Sequence, residues 1–81
     1  MAEVVFYHAE GCHLCERARA TLAELRDELG FALEEVDISG DPKLESQYRE
    51  LIPVVEIGGK QAFTYYVQPE PFRRRLAQSR G

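Results

Sequence analysis

Val4-Val5-Phe6-Tyr7-His8-Ala9-Glu10-Gly11-Cys12-His13-Leu14-Cys15 decides how this chain is read, because an apolar run ends there and a helical pattern begins on a pair of cysteines. Val4-Val5-Phe6-Tyr7 is a continuous β-branched and aromatic run bounded by Gly11, which predicts a strand buried on both faces and central in its sheet. His8-Ala9-Glu10-Gly11 is then a short loop that delivers Cys12 to a helix start. Cys12 and Cys15 are the only cysteines among the 81 residues. On a helix, side chains three apart share a face with Cβ atoms about 5–6 Å apart. A disulfide wants about 3.5–4.5 Å, a gap that a tightened first turn closes. A bridge across so short a loop restrains the unfolded chain weakly, so the pair suits redox chemistry better than structural stapling.

Downstream, Leu14, Ala18, Leu22, Leu25 and Leu29 draw one apolar stripe along a helix, and Gly30 ends it as a C-terminal cap. Cys15 lies beside the stripe and is expected to be the more buried cysteine, with Cys12 at the exposed tip. Glu16, Arg17, Arg19, Glu24, Arg26, Asp27 and Glu28 mostly fall off the stripe and keep the outer face wet. Phe31 to Ile38 reads as a second strand whose alternation slips between Leu33 and Val36, through a bulge or a strand end. Strand, crossover helix and strand make a βαβ unit, so these two strands are expected to be parallel. Asp41-Pro42 is a helix start, the cap residue preceding proline at the first helical position, and Leu44, Tyr48 and Leu51 form a short stripe behind it. Val54-Val55-Glu56-Ile57 follows Pro53 as a third strand, and Pro53, lacking an amide donor, fits its first position. Gly58-Gly59 predicts a hairpin turn, with Lys60 to Val67 returning as an antiparallel fourth strand. Pro69-Glu70-Pro71 fits a first helical turn, and Phe72 and Leu76 share one face of a closing helix.

Length and composition predict one domain over residues 1–81, with an ordinary soluble balance of apolar residues and both charge signs. No apolar run approaches the roughly 18–20 residues of a membrane span, and Met1-Ala2-Glu3 lacks a basic signal-peptide start, so a cytoplasmic protein with no membrane association is expected. A net charge of −4 argues against nucleic acid as a partner. The one basic run, Arg73-Arg74-Arg75, reads as a solvated face near the C-terminal end of the last helix. In a reducing compartment C-x-x-C near a βαβ pattern reads first as a thiol redox motif. A structural zinc site wants four ligands, and Cys12 and Cys15 with His8 or His13 fall short, so no metal is assigned.

The order βαβ, helix, ββα, with C-x-x-C opening the first helix and proline opening the third strand, resembles the thioredoxin superfamily. Within it the chain resembles the short, bacterial-type glutaredoxin-like proteins. The resemblance spans about Val4 to Ala77 and rests on Cys12-His13-Leu14-Cys15, Ile52-Pro53 and Gly58-Gly59. It implies an α/β thioredoxin-like fold with a mixed four-stranded sheet in the order 2-1-3-4. It also implies a cis Pro53 facing the active-site helix, with the Ile52 backbone pairing with a substrate chain. Three positions depart from the glutathione-binding pattern: Ala9 stands where a lysine is usual, Phe63-Thr64 where a Gly-Gly pair is usual, and His13-Leu14 where proline and an aromatic are usual.

Thiol exchange needs a thiolate, and a free cysteine has a pKa of about 8.5. The helix N-terminus would stabilise a Cys12 anion, and a protonated His13 would add a neighbouring cation, while Glu10 and Glu16 oppose it. The reading is a monomeric dithiol–disulfide oxidoreductase in which Cys12 attacks and Cys15 resolves. Its partners are a disulfide-bearing protein or glutathione and a reductase or thiol donor, with no resident cofactor and glutathione as a candidate co-substrate. The alternatives are a glutathione-dependent glutaredoxin and a non-catalytic thioredoxin-fold module whose cysteines hold a partner or metal.

Overall fold

The computed structural model describes residues 2–81. Its elements run β1 (Val4–His8), α1 (His13–Leu29), β2 (Leu33–Asp37), α2 (Pro42–Tyr48), β3 (Val54–Ile57), β4 (Lys60–Thr64) and α3 (Pro69–Arg80). The four strands form a mixed sheet in the order β2-β1-β3-β4, with β1 parallel to β2 and antiparallel to β3. This is the expected thioredoxin-like arrangement. The β1–β2 register is unbroken from Val4 opposite Leu33 to His8 opposite Asp37. The slip in apolar alternation, between Leu33 and Val36, lies inside this unbroken strand and marks neither a bulge nor a strand end: the two residues sit on opposite faces of β2, which is itself shorter than the expected Phe31 to Ile38.

Side-chain alternation sorts the core into two unequal halves. Val4, Phe6, Val55 and Ile57 pack with Ala18, Leu22 and Leu25 of α1 and Phe72 and Leu76 of α3. On the other face, Val54 packs with Ile38 and with Tyr48 of α2, and Tyr7 rests against them. Helix α2 has only seven residues, so it covers this face incompletely. Val4 and Phe6 are fully buried while Val5 and Tyr7 are half-buried, which corrects the expectation of burial on both faces of β1.

Local chemistry fixes the element ends. Gly30 caps α1 in the left-handed conformation (φ 67°), its amide donating to the Arg26 carbonyl at 2.8 Å. Asp41 caps α2 by accepting the Lys43 and Leu44 amides at 3.1 and 3.2 Å, with Pro42 behind it. Gly58 and Gly59 turn the hairpin with φ of 60° and 81°. A Cβ at Gly58 would come within 2.5 Å of Ser79 Oγ, which a rotation of the serine side chain can relieve, so it is the positive φ that favours glycine there.

Three further placements differ from those expected. Strand β4 ends at Thr64 and not Val67, because Tyr65 turns to positive φ (67°), and the β3–β4 register shifts between Val55 and Glu56. Leu51 lies beyond α2 and is exposed. Arg73-Arg74-Arg75 sits in the middle of α3, which runs on to Arg80. Arg73 there grips both oxygens of Glu28 on α1 at 2.6 and 2.7 Å and Glu70 at 2.6 Å.

Phe6 anchors the larger half-core from the sheet's interior. Phe6→Ala is expected to cost about 3–5 kcal/mol in urea unfolding with an unchanged m-value, whereas Asp41→Ala at the exposed cap should cost about 1 kcal/mol.

Candidate active site

Strand β1 ends at His8, the chain turns through Gly11 (φ 73°), and Cys12 becomes the N-cap of α1 with extended backbone angles of −92° and 108°. His13, Leu14 and Cys15 are then the first three helical residues. The Cys12 sulfur accepts the Cys15 amide at 3.2 Å. An N-cap side chain ordinarily takes the amide two or three residues on, and the oxygen of serine or aspartate is the usual acceptor. Here a sulfur fills that role, so the C-x-x-C spacing coincides with the capping spacing. Cys12 does not occupy a tightened first turn, as its spacing to Cys15 suggests, but the position just outside the helix. Both cysteines are free thiols.

Their surroundings differ. Cys15 is 3% exposed and belongs to the core between α1, α3 and the sheet, whereas Cys12 is half-buried and packs on the edge of the same cluster. The tip is thus less open than expected, though the ranking of the two holds. Burial pushes the Cys15 thiol up to about 12, with the neighbouring Cys12 sulfur adding to it and the Ala9 backbone and Arg19 opposing.

A hollow of about 270 Å³ reaches both sulfurs and is lined by His8, Glu16, Arg19 and Asp37 among others. Arg19 donates to Glu35 Oε1 at 2.8 Å, lies 3.4 Å from His8 Nδ1, and stands over the Phe6 ring at 5.9 Å. The Ser39 amide, donating at 2.8 Å, holds the Asp37 carboxyl below its ordinary range, helped by the Ser39 side chain. From the sequence, Arg19 is one outer-face charge among several and Asp37 only a strand end. The signal for Arg19 is its place one turn after Cys15, on the same helix face.

His13 does not line the hollow. Its side chain is 96% exposed and its Nδ1 lies 3.8 Å from Glu16 Oε2, also exposed, so solvent screens any charge it carries. The Ile52-Pro53 peptide is cis. Tyr7 of β1 pairs with Val54 of β3, which puts Ile52-Pro53 at the sheet end where the chain leaves β1 for Cys12, and Ile52 packs on the cluster that Cys12 also touches. The Ile52 amide donates to the Tyr48 carbonyl at 3.1 Å. Among the described residues no backbone amide donates to its carbonyl. No group of three or more His, Cys, Asp or Glu side chains among the described residues is placed to hold a metal ion. Among those residues no helix is long and apolar enough to cross a membrane.

The sheet order, the cis proline and the cysteine pair capping the first helix together define a thioredoxin-fold protein. The family model described as "Glutaredoxin-like domain (DUF836)" matches residues 3–77, and the chain belongs to this glutaredoxin-like family of the thioredoxin superfamily. A protein of Mycobacterium tuberculosis, Rv0508, itself described as uncharacterized, is 32% identical over 74 residues, covering 85% of this chain and 76% of that protein. The X-ray structure of protein XcR50 from X. campestris superposes with a TM-score of 0.77 at 29% identity, over 93% of this chain and 96% of that one. A buckwheat glutaredoxin–glutathione complex shares the fold at a TM-score of 0.62 and 20% identity, over 96% of this chain and 76% of that one.

The raised Cys15 pKa carries a sign. Burial pushes the Cys15 thiol up to about 12 in the folded state, while an unfolded cysteine titrates at about pH 8.5. The folded state therefore binds more protons between those values, and the reduced protein is expected to lose stability as pH rises through that window. Urea midpoints measured from about pH 8 upward should fall less steeply for Cys15→Ala than for the wild type. In the folded reduced protein at about pH 8, iodoacetamide should label Cys12 and leave Cys15 unmodified by mass spectrometry.

Proposed function

We propose that this protein is a dithiol–disulfide oxidoreductase working through Cys12 and Cys15. The observation that carries the reading is the cap itself: Cys12 Sγ sits 3.2 Å from the Cys15 amide at a helix N-terminus. A thiolate there would keep that donor and gain the positive end of the helix dipole. Cys12 thiolate attacks one sulfur of a substrate disulfide, and the other substrate sulfur leaves as a thiolate. The Cys15 sulfur, once deprotonated, then attacks Cys12 in the mixed disulfide and releases the second substrate sulfur. Two electrons pass to the substrate, whose sulfurs take up the two protons lost by the cysteines. The protein is left with a Cys12–Cys15 disulfide, which a dithiol reductase or glutathione must reduce.

Ile52 and Pro53 are proposed to receive the substrate chain through the open Ile52 carbonyl, since the Ile52 amide is turned inward to Tyr48. His13, exposed and paired with Glu16, adds only a screened charge, so the helix terminus is the principal support of the Cys12 anion. Ala9 and Phe63-Thr64 remove features that usually hold glutathione, which favours a protein disulfide as substrate. The shared fold of the buckwheat complex keeps glutathione as the second reading for the electron donor. Neither reading requires a metal.

Incubated with a disulfide-bearing protein, Cys15→Ser is expected to accumulate a mixed disulfide on Cys12, seen as an adduct on non-reducing gels, and Cys12→Ser is not. Equal trapping by both variants would refute the assigned roles. Turnover supported by thioredoxin reductase but not by glutathione, or the reverse, identifies the donor.

A further inference from the structure

Tyr65 is the only non-glycine residue at positive φ (67°) among the described residues. An aromatic side chain is disfavoured in that region, and such a residue persists only where its surroundings hold it. The sequence pattern places it in a strand. In the structure its backbone amide donates to the Pro53 carbonyl at 2.9 Å, and its hydroxyl donates to the Glu50 carbonyl at 2.6 Å. One residue thus grips both ends of the segment from Glu50 to Pro53. Inside that segment the Leu51 and Ile52 amides both turn to the Tyr48 carbonyl, at 2.8 and 3.1 Å. Tyr65 also shares a small hollow of about 100 Å³ with Tyr66, Val67 and Arg17, Ala18 and Thr21 of α1, the helix that carries Cys15.

We propose that Tyr65 is a positioning residue for substrate binding: by clamping Glu50 and Pro53 it fixes the Ile52 carbonyl as a preformed acceptor for a peptide N–H beside the substrate disulfide. The role rests on the oxidoreductase reading above. Without the clamp the segment would sample other arrangements, and a substrate would have to order it on binding. Tyr65 lines no part of the hollow that reaches the two sulfurs, and its hydroxyl does no chemistry on them. Its loss should therefore weaken substrate capture without slowing thiol exchange.

The test compares wild type, Tyr65→Phe, which removes only the hydroxyl, and Tyr65→Gly, which also relieves the positive φ. One hydrogen bond of this kind corresponds to an about three- to tenfold effect. Amide hydrogen exchange at Leu51 and Ile52 should quicken by that factor in both variants. KM for a peptide disulfide should rise similarly while kcat and the midpoint potential of the cysteine pair stay at wild-type values. An active wild type whose Tyr65→Phe variant keeps both its KM and its exchange rates overturns the role of Tyr65 alone, as does a fall in kcat with KM unchanged. A wild type that reduces no disulfide overturns the proposed function and this substrate-binding role together.

Discussion

A sulfur capping a helix is the constraint around which this molecule is arranged. The N-cap position leaves backbone amides of the first turn without partners, and Cys12 meets one of them, the Cys15 amide, at 3.2 Å. That bond holds the two cysteines at the same end of α1 in different environments: Cys12 just outside the helix, Cys15 inside its first turn and in the core. Two residues between cysteines is the spacing that makes the first residue a cap and the second the donor it serves.

The sheet presents that helix end. Strand β1 is flanked by β2 and β3, so its C-terminal end has little freedom, and the chain needs only the loop from Ala9 to Gly11 to reach the cap. Packing of Ala18, Leu22 and Leu25 against Phe6, Phe72 and Leu76 fixes the helix on the sheet. The antiparallel β1–β3 register brings Ile52-Pro53 to the same end, and Tyr65 ties the segment leading to that proline back to the end of β4. Burial divides the two thiols: it pushes the Cys15 thiol up to about 12, and leaves the half-buried Cys12 as the more accessible of the two sulfurs.

Much of this was legible in the chain because the deciding signals are local. The Gly30 cap, the Asp41-Pro42 start and the Gly58-Gly59 turn each carry their own stereochemistry and form as read, whereas Cys15 takes the place in the core that the α1 stripe assigns to Leu14. What was not legible depends on partners distant in sequence. Phe63, Thr64, Tyr65, Tyr66 and Val67 are all good strand formers, so composition alone carries β4 onward. The stop comes at Tyr65, which turns to positive φ while its hydroxyl reaches back to the Glu50 carbonyl. Arg19 and Asp37 meet at the hollow only because α1 crosses the sheet beside β2, a juxtaposition set by packing and not by spacing. The Arg73-Arg74-Arg75 run sits mid-helix because α3 continues to Arg80, whose side chain closes on Glu3 at 2.7 Å. Of the site itself, the motif named both sulfurs and their order of burial, while the exposure of His13 and its turn toward Glu16 follow from where the first helical residue points.

The proposed function requires that Cys12 and Cys15 interconvert reversibly between dithiol and disulfide within one chain. The direct measurement is an equilibrium titration in redox buffers of known potential, with free thiols quenched by alkylation and the products weighed by mass spectrometry. A single two-electron transition is expected between a doubly alkylated chain and an unalkylated monomer, with no singly alkylated form persisting at equilibrium. Cysteines that stay alkylatable across the whole range of potentials, or that oxidise only by linking two chains, would contradict it.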